Sequence, residues 1–317
     1  AASPKEAEDA LRLLRSGAKP TRYNVMDALS KLLRPALIPD EGKVFVVGDW
    51  KAIENRCLPW LTDDPRAEKK LDVFRAFDAA FKRAEKTTDT YEAAAADAGT
   101  DDRQVGKVIE LSLGFGGANG AFNSMAKNYG VFLPDNEVTR IVKNWRRSNP
   151  WAQDFWHGLE RAARRAIRAG EGVYGKIKYF FIPELMGGSL LCEMPGEHFI
   201  TYPKARIQEI EGRDTITALK ANWTPAADDK EWPRFKLWGG LLAENVTQAF
   251  AAALLRNAIK QTEYVVLHCH DELALEVPEK EAQAASKQLQ KVMEQVPEWA
   301  TGLPLLAPPS IMKRYGK

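Results

Sequence analysis

The sequence predicts an α+β fold in which helix dominates and a small sheet forms part of the core. Three observations carry this. VFVVGD at 44–49 and YVVLHCHDELALEV at 264–277 are apolar runs of strand length and composition, the second interrupted by a polar tip. Helical patterns occupy most of 63–170 and then 239–262. No internal repeat is present, so the chain does not read as a solenoid or a propeller.

Taken in order, residues 5–16 read as a short amphipathic helix that ends in the break SGAKP. Residues 25–34 read as a second helix, stopped before Pro35 because the residue before a proline is driven out of helical geometry. A glycine turn precedes the buried strand VFVVGD, which ends on Asp49, and AIENRCLPWL starts a helix at once. Residues 63–100 are mostly helical and alanine-rich, with a low-complexity patch at YEAAAADAG. A helix spans 101–113, with Asp101 or Asp102 as N-cap, and the glycine-rich GFGGANG ends it. Residues 135–170 are helical and basic, and 172–238 hold short strands and turns. The apolar helix 239–262 leads into the hairpin at 264–277, and a last helix runs from about 279 to 296.

The totals bound the rest. A chain of 317 residues can form one large domain or two ordinary ones. With 45% hydrophobic and 28% charged residues, it has the composition of a soluble globular protein. No apolar run approaches the roughly 20 residues of a bilayer span, and AASPKEAEDALRLL lacks a signal-peptide core. Cys57, Cys192 and Cys269 are too few and too scattered for a disulfide framework or zinc cluster. The expectation is a reducing, cytoplasmic setting with no membrane partner. A net charge of +2 does not announce a nucleic-acid binder, but the charge is uneven. Ten Lys and Arg lie in 140–178 against three acids, with Trp145, Trp151, Trp156 and Tyr174 interleaved. Such a segment either meets nucleic acid, its cations pairing with phosphates and its rings stacking on bases, or is a solvated helical face over core tryptophans.

Two acids stand at strand ends, Asp49 after VFVVG and Asp271 after VVLHCH. Brought together, they would repel unless a cation lay between them. Mg²⁺ takes one or two carboxylates plus substrate phosphates, the requirement of a two-metal phosphoryl-transfer site. The plainer reading makes Asp49 a helix cap and His270-Asp271 a turn. The helix at 101–116 bears on the choice. Arg103, Lys107, Leu111 and Phe115 recur every four residues and so share one face. Cations in the first turns of a helix oppose its dipole unless an anion is held against them, and a triphosphate fits.

GDWKAIENR, RQVGKVIELSLGFGG and HCHDELALEV resemble, in order and spacing, the three polymerase motifs of family A (DNA polymerase I-like) DNA polymerases. The similarity is greatest to the bacteriophage branch, where LSKLLRPALIP, AIENRCLPWL, GGLLAENVTQAF and PEWATGLPL also have counterparts, and it runs from about Asp27 to Lys317. The resemblance implies a palm at 21–62 and 189–317, helical fingers at 63–188 and an N-terminal helical remnant at 1–20. It implies template-directed DNA synthesis in phage replication, with dNTPs and primer–template DNA as partners. Two Mg²⁺ ions are the implied cofactors, with Mn²⁺ as a substitute.

The resemblance also implies roles. Asp49 and Asp271 would bind metal, with the backbone carbonyl of Trp50 as a further ligand. Arg103 and Lys107 would contact the triphosphate, and Lys107 would protonate the leaving pyrophosphate. Leu111 and Phe115 would lie by the incoming nucleotide, Gly116 would leave room for the template base, and Glu54 would exclude a 2′-OH. Gln248, His270, Glu272, Arg56 and Arg34 would serve the primer–template side, Glu272 being either a supporting partner or only a hairpin residue.

Several positions depart from the family pattern. Leu111 stands where Phe or Tyr is common, Phe115 where Tyr is commoner, and Glu244 where Asn is common. The resemblance finds no counterpart of the 3′–5′ exonuclease domain or of the TGR and QNLP stretches of the thumb in this sequence, which leaves two readings open: a fragment of a longer protein, or one half of a split polymerase with a separate thumb or exonuclease chain as partner. Two other readings stay open: a polymerase-like DNA-binding subunit, and a single-subunit RNA polymerase, against which Glu54 argues.

Overall fold

The computed structural model describes residues 33–220 and 232–316, together with Arg12 and residues 15–17. Most of the helices expected at 5–16 and 25–34, and of the N-terminal segment 1–20, lie outside the described residues. A 3-10 turn at Arg34–Ala36 leads to β1 (Lys43–Asp49). Seven helices follow: α1 (Ile53–Leu61), α2 (Glu68–Lys82), α3 (Thr90–Ala98), α4 (Arg103–Ser112), α5 (Asn119–Asn128), α6 (Asp135–Ser148) and α7 (Pro150–Ala169). Then come β2 (Glu171–Tyr174), β3 (Ile177–Ile182), β4 (Ser189–Met194), β5 (His198–Pro203), β6 (Arg206–Ile210), β7 (Arg213–Leu219) and β8 (Arg234–Leu237). The chain closes with α8 (Gly239–Lys260), β9 (Val265–Cys269), β10 (Glu272–Pro278), α9 (Ala282–Glu294) and β11 (Ser310–Met312).

The α+β expectation holds. The helical stretch expected over 135–170 is two helices, parted at Asn149-Pro150. Proline has no N–H to donate and its fixed φ suits a helix start, so a new helix begins there. The helix expected from about 279 begins at Ala282, after a 3-10 turn at Glu279–Glu281.

The described residues form two compact units. One takes the chain up to Lys51, Leu255–Gln295 and the chain from Leu306; the other takes Ala52–Leu254 and Val296–Leu305. In the first, four strands lie in the order β11-β1-β10-β9, all neighbours antiparallel. The register of β1 on β10 runs from Lys43 opposite Pro278 to Asp49 opposite Glu272. Residues Val44 to Gly48 are all buried, so β1 is covered on both faces, as its unbroken apolar run requires. Toward one face, a Cβ at Gly48 would meet the side chains of Leu289 and Met293 of α9. On the other, Phe45, Val47, Ala274 and Tyr315 form a cluster, Phe45 meeting Tyr315 edge-on at 6.4 Å between ring centres.

The second unit holds α1 to α7, the meander β2-β3-β4-β5, the meander β6-β7-β8 and the start of α8. The expected boundary at 188/189 falls just before β4. β3 pairs with β4 from Lys178 opposite Glu193 to Ile182 opposite Ser189, so a cut there would sever a hydrogen-bonded sheet. The aromatic half of the basic segment is corrected. Trp145, Trp151 and Trp156 are buried, with Trp145 and Trp156 stacked at 6.4 Å, so these rings are core and offer no face to nucleic acid. The cations Lys143, Arg147, Arg161, Arg165 and Arg168 remain on the exposed side of α6 and α7.

Arg56 anchors this unit. It is 0% exposed, and its guanidinium donates to both carboxylate oxygens of Asp78 at 2.7 Å and to the Pro304 carbonyl at 3.2 Å. The ring of Phe74 lies 4.5 Å below it. The expectation that Arg56 serves the primer–template is therefore corrected: it is a buried structural group with no surface to offer DNA. Removing one partner strands the other's charge in the core, so Asp78→Ala should cost about 3–5 kcal/mol in a urea titration. Thiol reactivity checks the packing separately. Cys57 and Cys192 are buried and Cys269 is exposed, and burial pushes the Cys192 thiol up to about 12. Ellman's reagent should therefore modify Cys269 alone in the native protein, and all three cysteines once it is denatured.

Candidate active site

In the first unit, β9 and β10 are joined by the turn His270-Asp271, with Cys269 opposite Glu272. His270 takes a left-handed backbone, φ 60°, a conformation with a steric cost in a residue other than glycine, and strain of this kind collects at functional turns. Its Nδ1 stands 3.8 Å from the Asp271 carboxylate. Asp49, at the end of β1, faces the first residue of β10. The next N–H along, that of Trp50, donates to the Asp271 carbonyl at 3.4 Å. The two acids thus stand on adjoining backbone. Trp50 fixes the corner from inside: its indole is buried and donates to the Met293 carbonyl at 2.8 Å, satisfying an acceptor at the open end of α9.

Of the two readings open for Glu272, the structure fits the supporting partner: it is 3% exposed and packed beneath the hairpin turn. Arg34 lies 3.6 Å from its carboxylate and 3.8 Å from the Cys269 sulfur, with its guanidinium 5.3 Å from the Tyr315 ring centre. Burial, then the Glu272 carboxylate, push the Tyr315 hydroxyl well above the ordinary tyrosine value. Arg34, Glu272 and Tyr315 therefore make a polar layer beneath the turn that carries Asp271. Arg34 closes this layer on its outer side, with its side chain 39% exposed.

In the second unit, α4 begins on Asp102, whose carboxylate accepts from the N–H groups of Gln104 and Val105. Val105, Val108 and Ile109 are buried, and Gly106 has no Cβ because the Tyr91 carbonyl fills that space. Arg103, Lys107 and Leu111 lie on the opposite, more open face, as their spacing predicts. Phe115 does not extend that face helically, because α4 ends at Ser112 and Phe115 sits in the following turn. Arg103 pairs with Asp89 at 2.6 Å and lies over the Tyr91 ring at 5.0 Å. Lys107 stands over the Tyr129 ring at 4.5 Å. Glu110, on the buried side, is paired with Lys70, which ties α4 to α2.

The turn after α4 is clamped at both ends. The Trp156 indole donates to the Gly114 carbonyl at 2.8 Å, and Arg146 donates to the Gly117 carbonyl at 3.0 Å. Sequence patterning assigns Trp156 and Arg146 to the basic segment and gives no hint of this role. Gly116 needs its glycine twice over: φ is +79°, and a Cβ would stand 2.7 Å from the Trp238 ring. Glu54 is half-buried on α1, Glu244 is half-buried on α8, and Gln248 is exposed on α8. Burial, and then the charge of Glu54, raise the Glu244 carboxyl above its ordinary value. Among the described residues, no group of three or more His, Cys, Asp or Glu is arranged to hold an ion. No described helix is long and apolar enough to cross a membrane.

No family model matches the chain. It is 31% identical over 296 residues to a DNA polymerase of Bacillus phage SP02, a match covering 91% of this chain and 44% of that protein. Its fold is similar to the POL domain of Pol1 from M. smegmatis, solved in complex with DNA primer-template and dNTP. The TM-score is 0.51 and the identity 15%, over 93% of this chain and 43% of that one. The chain thus spans less than half the length of the relatives it matches.

The Glu244–Glu54 proximity generates a pH prediction. A carboxyl whose folded pKa is raised holds its proton more tightly than in the unfolded chain. Its favourable contribution is complete below the ordinary glutamate value and is lost as pH rises through the folded one. Melting temperatures of the parent and Glu244→Gln should therefore draw apart between pH 4 and pH 7, the variant becoming the more stable as pH rises. Parallel curves would contradict the raised Glu244 carboxyl.

Proposed function

We propose, from the premise that this chain is a relative of the family A phage DNA polymerases, that it carries their nucleotidyl-transfer site. It would add dNMP from a dNTP to a primer 3′-OH as directed by a template, in phage DNA replication. The observation that carries this reading is the backbone junction where Asp49, Trp50 and Asp271 meet, in a chain that also bears the Arg103–Lys107 face of α4.

The junction offers hard oxygen donors, two carboxylates and the Trp50 carbonyl, the kind of set that Mg²⁺ takes while keeping other positions for water and substrate phosphates. Asp49, Asp271 and the Trp50 carbonyl would hold the ions, two in number, with Mn²⁺ able to replace Mg²⁺. When bound, such ions supply charge neutralisation and polarise phosphoryl oxygens.

The chain's own side chains would do the rest. Arg103, whose own side chain is half exposed, would exchange Asp89 for the triphosphate, leaving the Asp89 carboxylate to the N–H groups it already caps. Lys107 would leave the Tyr129 ring for the same anion. The primer 3′-hydroxyl would give up its proton to water as its oxygen bonds the α-phosphorus and the bond to the bridging oxygen breaks, and the departing pyrophosphate would take a proton from the Lys107 ammonium. Phe115, held in its turn by Trp156 and Arg146, would flank the nascent base pair, with Leu111 beside the sugar. Glu54 would exclude a 2′-OH, and Gln248 and His270 would meet the primer–template. A thumb or a proofreading nuclease would come from other sequence or a separate chain.

Primer extension with Mg²⁺ and dNTPs tests the reading. The parent should extend, while Asp49→Ala and Asp271→Ala should lose several kcal/mol of transition-state stabilisation, roughly a hundredfold or more in rate, with DNA binding retained. Near-parental extension by either variant would overturn the metal assignment. Glu54→Ala should incorporate ribonucleotides more readily than the parent, and unchanged sugar selectivity would remove the gate role.

A further inference from the structure

Trp238 is the residue just before α8, and its side chain is 47% exposed although it belongs to a well-packed stretch. Its ring is laid on two glycines. A Cβ on Gly116 would stand 2.7 Å from it, and a Cβ on Gly240 would collide with both the ring and the Phe115 carbonyl. Gly239 lies equally close to the Trp156 backbone, and its N–H donates to the Glu160 carboxylate at 3.0 Å. Three glycines therefore bring the Trp238 ring onto the backbone of the 113–117 turn, and the clamp of Trp156 and Arg146 keeps that turn in place. A large aromatic left half in water is unfavourable for a purely structural role, since burying it would contribute more. Held rigidly by backbone on one side and open on the other, the indole is a ready stacking platform.

We infer that Trp238 is a stacking site for an unpaired nucleobase of the template strand, next to Phe115 and Gly116. This rests on the proposed polymerase function and adds a residue to it. Two features favour a nucleobase. Base–aromatic stacking needs only a π-face and tolerates any base, as a template reader must. The platform also adjoins a turn that combines an aromatic side chain, Phe115, with a glycine of positive φ, Gly116.

The test uses a primer–template whose first unpaired template position carries either a base or an abasic sugar, with affinity read by fluorescence anisotropy at one fixed salt concentration. The parent should prefer the base. Trp238→Phe should keep that preference. Trp238→Leu, which fills space on the glycines but has no π-face, should lose affinity for the base-bearing template by about 5- to 150-fold, the span of one base–aromatic stack, and bind both templates alike. Equal preference in the Leu and Phe variants, or no preference in the parent, would overturn the inference. A parent that prefers the base yet fails to extend the primer would sink the polymerase reading and leave the stacking site standing.

Discussion

The antiparallel pairing of β1 with β10 is the constraint on which the rest of the candidate site depends. It sets Asp49 opposite Glu272 and so puts Asp49 one step from the turn that bears Asp271. Side chains alternate along a strand, so a slip of one residue would move Asp49 to the other face and destroy the arrangement. The sequence resists that slip in two ways. β1 is buried along five successive positions, with α9 against one face and the Phe45–Tyr315 cluster against the other. Beneath the turn, Arg34, Glu272 and Tyr315 complete one another, so displacing Glu272 would leave a buried carboxylate without its cation. Burial and ion pairing thus serve preorganisation: the acids are held by structure already in place.

The second unit solves a different problem. For the proposed role, its cationic face would have to be open to a substrate yet stable without one. Arg103 and Lys107 are held there by partners outside the core, the carboxylate that also caps α3 and an aromatic ring. The opposite face of α4 is fixed firmly by Gly106 against the Tyr91 carbonyl and by Glu110 with Lys70. The turn that follows is held through its backbone carbonyls, which leaves the Phe115 side chain unconstrained by hydrogen bonds. Arg56 shows the same division of labour: it lies two residues beyond Glu54, but its charge is used wholly inside the unit, on Asp78.

Strands, hairpin and helices were legible because they rest on local signals. VFVVGD, the tip of the hairpin, the Asp102 cap and the glycines after α4 each act within a few residues. Three features were not legible, because they depend on partners distant in sequence. Arg56 reads as an available cation until Asp78 and Pro304 are seen around it. Glu272 reads equally as a supporting partner or a plain hairpin residue until Arg34 and Tyr315 are seen around it. The tryptophans of α6 and α7 alternate with arginines in sequence, but helical geometry sends the rings inward and leaves several of the cations outside. The expected boundary at 188/189 falls between paired strands for a similar reason, since the pairing of β3 with β4 leaves no mark in composition. Trp238 was missed although LWGG held a signal: paired glycines beside a large aromatic often mean that a ring lies on backbone.

The central claim is that Asp49 and Asp271 act together on one divalent cation. Mn²⁺ binding to the protein alone, followed by electron paramagnetic resonance, tests this without relying on turnover. The account predicts that the parent binds Mn²⁺ and that Asp49→Asn and Asp271→Asn each weaken it at least tenfold, with the double variant little worse than either single one. Binding unchanged by either substitution would contradict the account.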